Sequence, residues 1–459
     1  MAIKGLRSRS PVILSDTQLA LLTFLAALSV RLIHIGERSL WLDEAYSVWL
    51  SAQSLAVIRE TVDFHPPLYY VLLKLWTSAG SWAASDTGVR LPSAIFSAAS
   101  IAGGVWCVRR LRLPGAGLVA VLGVTSALSV WYAHEVRMYA AASLAILAAS
   151  ACMALLTWQT PPRATAISLW TAYAVAAVAS IYLSYDAILV LFGINALCLG
   201  AMLLKRPPGW ILTRTLGGWL LAHALVVDAY LPQMRNLSIT LRDATSLHWA
   251  ARFPIVATAA LAGALGMALF VFAFWRLPRL RGPVIIVIAL TALLLLGAAS
   301  LVPQGLSIKR HVAIIAPLLM VACGVALAAA GAARHWRVLA VAAGIPALIA
   351  VLFVHPKEDW RGVAALLRQE ARPGDALVLH RGYIDFPLQR YFPLERWVVV
   401  KAGRSDDVAE ITHSATARVW LIESHTGNPD TLAPNVASGR VLALDRSFYR
   451  VAVRRFDRS

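Results

Sequence analysis

Apolar residues in this chain come in long unbroken blocks. Eleven blocks approach the ~20 residues a helix needs to cross a bilayer: 17–36, 90–108, 115–132, 138–158, 165–183, 187–204, 213–231, 255–275, 283–302, 312–331 and 338–355. A further apolar stretch, Pro66 to Trp82, is short and holds Lys74 with several small polar residues, so it is expected to lie in the membrane interface. The pattern changes near residue 357. Asp359 to Glu370 has helical spacing, Arg372-Pro373-Gly374-Asp375 makes a turn, and 376–379, 418–422 and 447–455 read as strands. The expected fold is therefore an all-α polytopic membrane domain over 1–356, with about 11 spans plus interfacial helices in the first outer loop. A small soluble α/β domain over 357–459 follows it.

Composition agrees. The chain is 59% hydrophobic and 14% charged, with a mean hydropathy of +0.67, whereas soluble domains carry about a quarter charged residues. The last 103 residues hold 29 of the 66 charged ones, an ordinary soluble composition. The net charge of +18 does not point to nucleic acid, because the surplus Lys and Arg sit in short loops between apolar blocks. With the N-terminus inside, Arg109, Arg110, Arg112, Arg163, Lys205, Arg206, Arg214, Arg276, Arg279, Arg281, Arg334 and Arg337 all fall on the cytoplasmic side. The acidic residues give an independent view. Of those before Lys357, only Asp16 falls inside; Glu37, Asp43, Glu44, Glu60, Asp63, Asp86, Glu135, Asp186, Asp228 and Asp243 lie at or near the outer face. Were Pro66–Trp82 to cross, Arg109, Arg110 and Arg112 would be outside. The expectation is a multi-pass inner (plasma) membrane protein, N-terminus cytoplasmic and C-terminal domain extracytoplasmic. The 17–36 run is long for a signal peptide and lacks a small-residue cleavage site, so it reads as an uncleaved first span. Cys107, Cys152, Cys198 and Cys323 lie within apolar stretches and form neither a disulfide framework nor a zinc spacing.

Three polar groups could carry chemistry. The first outer loop reads Ser39-Leu40-Trp41-Leu42-Asp43-Glu44-Ala45-Tyr46, and later Asp63-Phe64-His65-Pro66-Pro67-Leu68-Tyr69-Tyr70. Adjacent carboxylates among aromatics at a membrane surface suit a proton acceptor, since burial raises a carboxylate's pKa. The plainer alternative is a solvated loop in which Asp43 caps a helix starting at Ala45. The second loop reads Trp131-Tyr132-Ala133-His134-Glu135-Val136-Arg137-Met138-Tyr139, where Glu135 and Arg137 could simply neutralise one another. The third, Lys309-Arg310-His311, is a cationic triplet expected outside, against the positive-inside bias. It suits ordinary lipid phosphate, or the phosphate of a lipid-linked substrate held by the Arg fork. Arg90, at the outer start of its span, could join it.

Four landmarks, in order over nearly the whole chain, resemble the bacterial family 39-type transferases, the protein O-mannosyltransferase-like branch with the GT-C membrane fold. They are Trp41-Leu42-Asp43-Glu44-Ala45, His65-Pro66-Pro67-Leu68-Tyr69-Tyr70, His134-Glu135-Val136-Arg137-Met138-Tyr139 and Lys357-Glu358-Asp359-Trp360-Arg361-Gly362. The chain departs from the pattern at His134, where many relatives carry Gln. The resemblance implies a polyprenyl-phosphate-sugar donor and inverting transfer to a lipid, glycan or protein acceptor. It implies that Asp43 is the general base, that Glu44 positions the acceptor or supports Asp43, and that Glu135 stands at the substrate site. His65 stands where a related aminoarabinose transferase has a phosphate-binding Lys, a task a neutral imidazole does less well. Tyr69 and Arg137 fall in the same substrate-facing motifs.

A lipid phosphate is already a fair leaving group, so the reaction needs no cofactor, and a divalent metal is not indicated. What the site must supply is positive charge at the phosphate oxygens and a base, contributing roughly 10²–10⁴-fold. The rival reading is a transporter or flippase of lipid-linked sugars. Against it, the spans are nearly free of the mid-depth ionisable residues that transporters keep.

Overall fold

The computed structural model describes residues 14–61, 65–204, 206–239, 308–354, 356–402, 418–425 and 432–458. The expected spans 255–275 and 283–302, the loop acids Asp63 and Asp243, the basic residues Lys205, Arg276, Arg279 and Arg281, and the side chain of Lys309 lie outside these. Each of the nine remaining spans falls on helix: α1 (Asp16–Leu32), α5 (Leu91–Arg110), the pair α6 (Ala116–Val124) and α7 (Ala127–Ala133), α8 (Tyr139–Trp158), α9 (Arg163–Leu183), α10 (Ala187–Leu204), α11 (Gly209–Tyr230), α12 (Ile308–Ala329), and α13 (Arg334–Ala342) continuing into α14 (Ile345–Ile349). Six of these segments are long and apolar enough to cross a membrane, or seven counting the α6–α7 pair, which bends by 54°. The protein is a multi-pass membrane protein.

The first loop holds α2 (Leu42–Ala52), α3 (Leu55–Glu60) and α4 (Leu68–Thr77). At 1.5 Å per residue, the 10 residues of α4 reach only about half of the ~30 Å hydrocarbon core. α4 is thus too short to cross, as expected for Pro66–Trp82. α8 is the most buried span, with 72% of its window inside the protein, against 17% for the segment Gly209–Ile239. It forms the axis against which the site is built. α6 packs tightly on α12 through glycines: a Cβ on Gly115, itself at φ +93°, would lie 2.6 Å from the Gly324 carbonyl, the close backbone approach that small residues permit.

The C-terminal part begins with α15 (Trp360–Glu370), whose first turn is capped by Asp359 accepting from Gly362 N at 2.9 Å. A five-stranded sheet follows, in the order β2-β1-β3-β5-β4: β1 (Ala376–His380), β2 (Val398–Ala402), β3 (Arg418–Ser424), β4 (Arg440–Phe448) and β5 (Val451–Arg458), with α16 (Asp385–Tyr391) between β1 and β2. β2, β1 and β3 run parallel; β5 and β4 are antiparallel to their neighbours. Trp360, Trp420, Leu377 and Leu379 fill one side of the sheet, fully buried. Two expectations need correction. The single strand expected over 447–455 is a hairpin turning at Tyr449–Arg450, and a further strand, β2, pairs in parallel along β1. β4 is exposed at most positions, so it carries little of the apolar alternation that marks a strand.

This domain docks on the first loop through ionic contacts. The Arg361 guanidinium donates to the carbonyls of Gly36 (3.0 Å) and Glu37 (2.9 Å) and pairs with Asp86. Tyr391 donates its hydroxyl to Asp86 at 2.5 Å and accepts from Leu40 N at 2.8 Å. Burial would raise the Asp86 carboxyl, but Tyr391, Arg361 and Arg390 together hold it below its ordinary value. Phe386 of α16 packs on Tyr46 and Trp49 of α2.

Candidate active site

The site is built around the first turn of α2. A helix start leaves backbone N–H groups without partners; here two carboxylates supply them. Trp41 N donates to Glu44 Oε2 (3.3 Å) and Leu42 N to Glu358 Oε2 (3.3 Å). The capping role considered for Asp43 is therefore filled by Glu44 and Glu358. The Asp43 side chain, 23% exposed, instead faces Arg310 in the first turn of α12, with Oδ2 3.2 Å from the guanidinium.

Glu44 is fully buried and lies between two buried cations. Arg90 holds it through both oxygens, Nε to Oε1 at 2.9 Å and Nη2 to Oε2 at 2.7 Å, and Lys357 Nζ is 3.0 Å from Oε1. Val136 N also donates to Oε1 at 3.1 Å. Burial alone would raise this carboxyl; the two cations bring it down to about 2. The other three Arg90 donors go to the carbonyls of Ile35, Arg38 and Ser39 at 2.8–3.0 Å. A guanidinium has five N–H donors, and all five are used. Arg90 therefore cannot join Arg310 on a substrate phosphate, contrary to the expectation from its place in the sequence; it is an internal clamp on Glu44.

Lys357 is the residue the sequence reading did not single out. Its ammonium, 4% exposed as a residue, bridges Glu44 and the carbonyl of His134 (2.8 Å). Those are the immediate neighbours of Asp43 and Glu135. Burial pulls Lys357 below its ordinary pKa, with Glu44 opposing. The one signal available was its place at the head of the fourth landmark.

Glu135 sits in the turn after α7, 2% exposed, within electrostatic reach of both Lys357 and Arg310. Arg137, also buried, reaches Ser47 Oγ of α2 at 3.3 Å. His65 stands edge-on to Tyr139, ring centres 6.1 Å apart. Burial and the charges of Arg137, Arg310 and His311 keep its imidazole neutral, well below the ordinary histidine pKa. Tyr69 is buried, with its hydroxyl 3.3 Å from Ser93 Oγ and its pKa raised by burial. The cationic triplet is divided: Arg310 faces Asp43, lying also over the Trp41 ring, while His311 pairs with Asp186 at 2.7 Å. Asp43, Glu44, Glu135, His65, Tyr69, Arg137, Arg310 and His311 thus gather where α5, α8 and α12 begin, at one end of the bundle. The opposite end holds the Asp16–Arg109 pair (2.8 Å). Among the described residues no group of three or more His, Cys, Asp or Glu is arranged for a metal ion.

No family model matches this sequence, and no curated protein does. Solved structures do. ArnT from Cupriavidus metallidurans in the apo state aligns with a TM-score of 0.53 at 16% identity, over 96% of this chain and 98% of that one. The same protein bound to undecaprenyl phosphate gives 0.51 at 17% identity, over 96% and 98%. This likeness over nearly the full length shows the fold, and the chain has the GT-C membrane fold that its four landmarks lead one to expect.

Proposed function

We propose that the chain is an inverting glycosyltransferase that moves a sugar from a polyprenyl-phosphate donor to an acceptor hydroxyl at the outer face of the membrane. Residues 1–356 form its catalytic domain and 357–459 its extracytoplasmic domain. The observation that carries the reading is the Asp43–Arg310 pair, 3.2 Å apart, at the end of the bundle where Glu135, His65 and Arg137 also gather. Inversion needs a base on the acceptor side of the anomeric carbon and a cation on the phosphate side; this pair offers one of each, to be parted by the bound sugar. The ArnT structure holding undecaprenyl phosphate supports a polyprenyl carrier.

In the reaction Asp43 takes the acceptor's hydroxyl proton as its oxygen bonds to the anomeric carbon. The carbon–oxygen bond to phosphate breaks, and polyprenyl phosphate leaves with the electron pair. Arg310 receives the charge gathering on the phosphate oxygens, with Arg137 adding positive potential and neutral His65 a hydrogen-bond partner. Glu135 orients the sugar or acceptor, and Tyr69 lines the donor side. Glu44 acts through position: locked by Arg90 and Lys357, it fixes the turn that carries Asp43.

The test is Asp43→Asn, which keeps size and removes basicity. Purified protein given labelled donor releases polyprenyl phosphate; the variant stays folded and in the membrane while release falls by roughly 10²–10⁴-fold. Near-normal release by the variant removes Asp43 from the mechanism. No release by the intact protein, with any acceptor, favours the transporter reading instead.

A further inference from the structure

We infer that the polar cavity at one end of the C-terminal sheet is a saccharide subsite, so that the acceptor of the proposed reaction is itself a glycan or glycolipid. The inference rests on the transferase reading and names its missing substrate class.

The cavity, about 450 Å³, is lined by Glu358, Glu423, Ser424, His425, Ser447, Phe448, Arg450 and Arg454 among others, a volume within the ~300–1,000 Å³ of small-ligand sites. It lies between the carboxyl end of β3 and the turn of the antiparallel β4–β5 hairpin.

Its chemistry selects a neutral, hydroxyl-rich guest. The two carboxylates and Arg454 are already paired: Glu423 with His380 (2.9 Å) and Arg454 (2.8 Å), Arg454 with Asp445 (3.3 Å), and Glu358 with His425 (2.6 Å), while Arg450 lies over the Tyr449 ring. A cation entering would find both carboxylates engaged, and an anion would meet Arg454 already held by Glu423 and Asp445. A sugar hydroxyl, both donor and acceptor, can bridge between such fixed carboxylate oxygens and guanidinium N–H groups. The hydroxyls of Ser424 and Ser447 add to them, and the Phe448 ring offers an apolar face to the sugar's C–H groups.

The backbone supplies a second observation. Among the described residues seven non-glycine positions have positive φ, and three are at this end of the sheet: Arg381 (68°), His425 (59°) and Arg450 (61°). Left-handed conformations at bulky residues tend to gather at ligand clamps. A third observation is connectivity. Glu358 lines the cavity with one oxygen paired to His425, while the other accepts from Leu42 N, beside Asp43. A saccharide in the cavity is thus separated from the first turn of α2 by one carboxylate.

The experiment uses the full chain in lipid nanodiscs, free of glycoside detergents. Methyl glucoside, methyl N-acetylglucosaminide and inorganic phosphate are titrated by saturation-transfer NMR. The variants are Ser447→Trp, which fills the cavity from an exposed strand position, and Arg450→Gly, which removes a wall and suits the left-handed backbone. A glycoside binds the parent protein in the millimolar range and at least about tenfold more weakly to both variants, while phosphate does not bind. Release of polyprenyl phosphate to water, without an acceptor, is unchanged in both variants. Absence of glycoside binding, equal binding by parent and variants, or saturable phosphate binding lost in Ser447→Trp each overturns the proposal. Glycoside binding with no donor turnover by the parent protein leaves the subsite standing and removes the transferase reading.

Discussion

Lys357 Nζ lies 3.0 Å from Glu44 Oε1, and the same ammonium donates to the His134 carbonyl at 2.8 Å. One buried cation thus ties the turn before Glu135 to the turn that carries Asp43, and it comes from the segment that opens the C-terminal domain. Lys357→Met keeps the length of the side chain and removes both bonds. Glu44 retains Arg90 through two oxygens, so the fold persists while the separation of the two acids relaxes. Displacements of about 1 Å can reduce rates by about 10²-fold. Steady-state kinetics should show a loss of that order in kcat with little change in donor KM. Wild-type kcat in the variant would show that Lys357 does not position the site.

Glu44→Gln probes the other side of that bond. The neutral amide leaves Arg90 and Lys357 buried without a counter-charge, and breaking a buried pair in this way costs roughly 3–5 kcal/mol. The pH dependence has a definite sign. The folded carboxyl titrates at about 2, below the ~4.3 of an unfolded Glu. Its stabilisation is therefore full above ~4.3 and fades as pH falls through that value toward 2. Thermal melting of the two proteins should differ most at pH 5–7 and converge only at and below about pH 2; a gap independent of pH would contradict the assignment.

Much of this was legible in the chain and some was not, for one physical reason. Spans, the short α4 and the polar loops are local properties, set by runs of apolar residues and their flanking charges. That Asp43, Glu135 and Arg310 lie at one end of the bundle followed from counting spans, because topology puts alternate helix ends together. Which cation meets which carboxylate is set by packing between segments far apart in sequence. Arg90 and Arg310 both read as cations at a helix start, yet one is spent on Glu44 and three carbonyls while the other, 33% exposed, faces Asp43. Lys357 looked like part of a soluble tail. β4 was hidden because its exposed residues leave little apolar period to read.

Arg90→Lys separates the clamp from a phosphate ligand. Lysine brings three donors where five acceptors wait, and each buried acceptor left unsatisfied costs about 1–3 kcal/mol. The melting point should drop. Donor KM, measured on the fraction that remains folded, should stay near the parent value, because all five Arg90 donors point into the protein. A stable variant with a large rise in donor KM would return Arg90 to the phosphate site.

Arg310 is expected to behave in the opposite way. It sits at the start of α12 with its guanidinium shared between Asp43 at 3.2 Å and the face of Trp41; both Arg310 and Asp43 are partly exposed to solvent, so breaking their pair costs less than breaking the buried Glu44 pair. Arg310→Gln should melt close to the parent protein yet lose about 10²–10³-fold in kcat, the effect of removing one group that stabilises transition-state charge. Arg310→Lys tests geometry apart from charge. A lysine restores the positive charge but not the two-pronged fork that matches phosphate oxygens, so it should recover only part of that loss. Full activity in Arg310→Lys would mean that charge alone suffices, and full activity in Arg310→Gln would take the cation out of the reaction and leave Asp43 without the neighbour on which its role is argued.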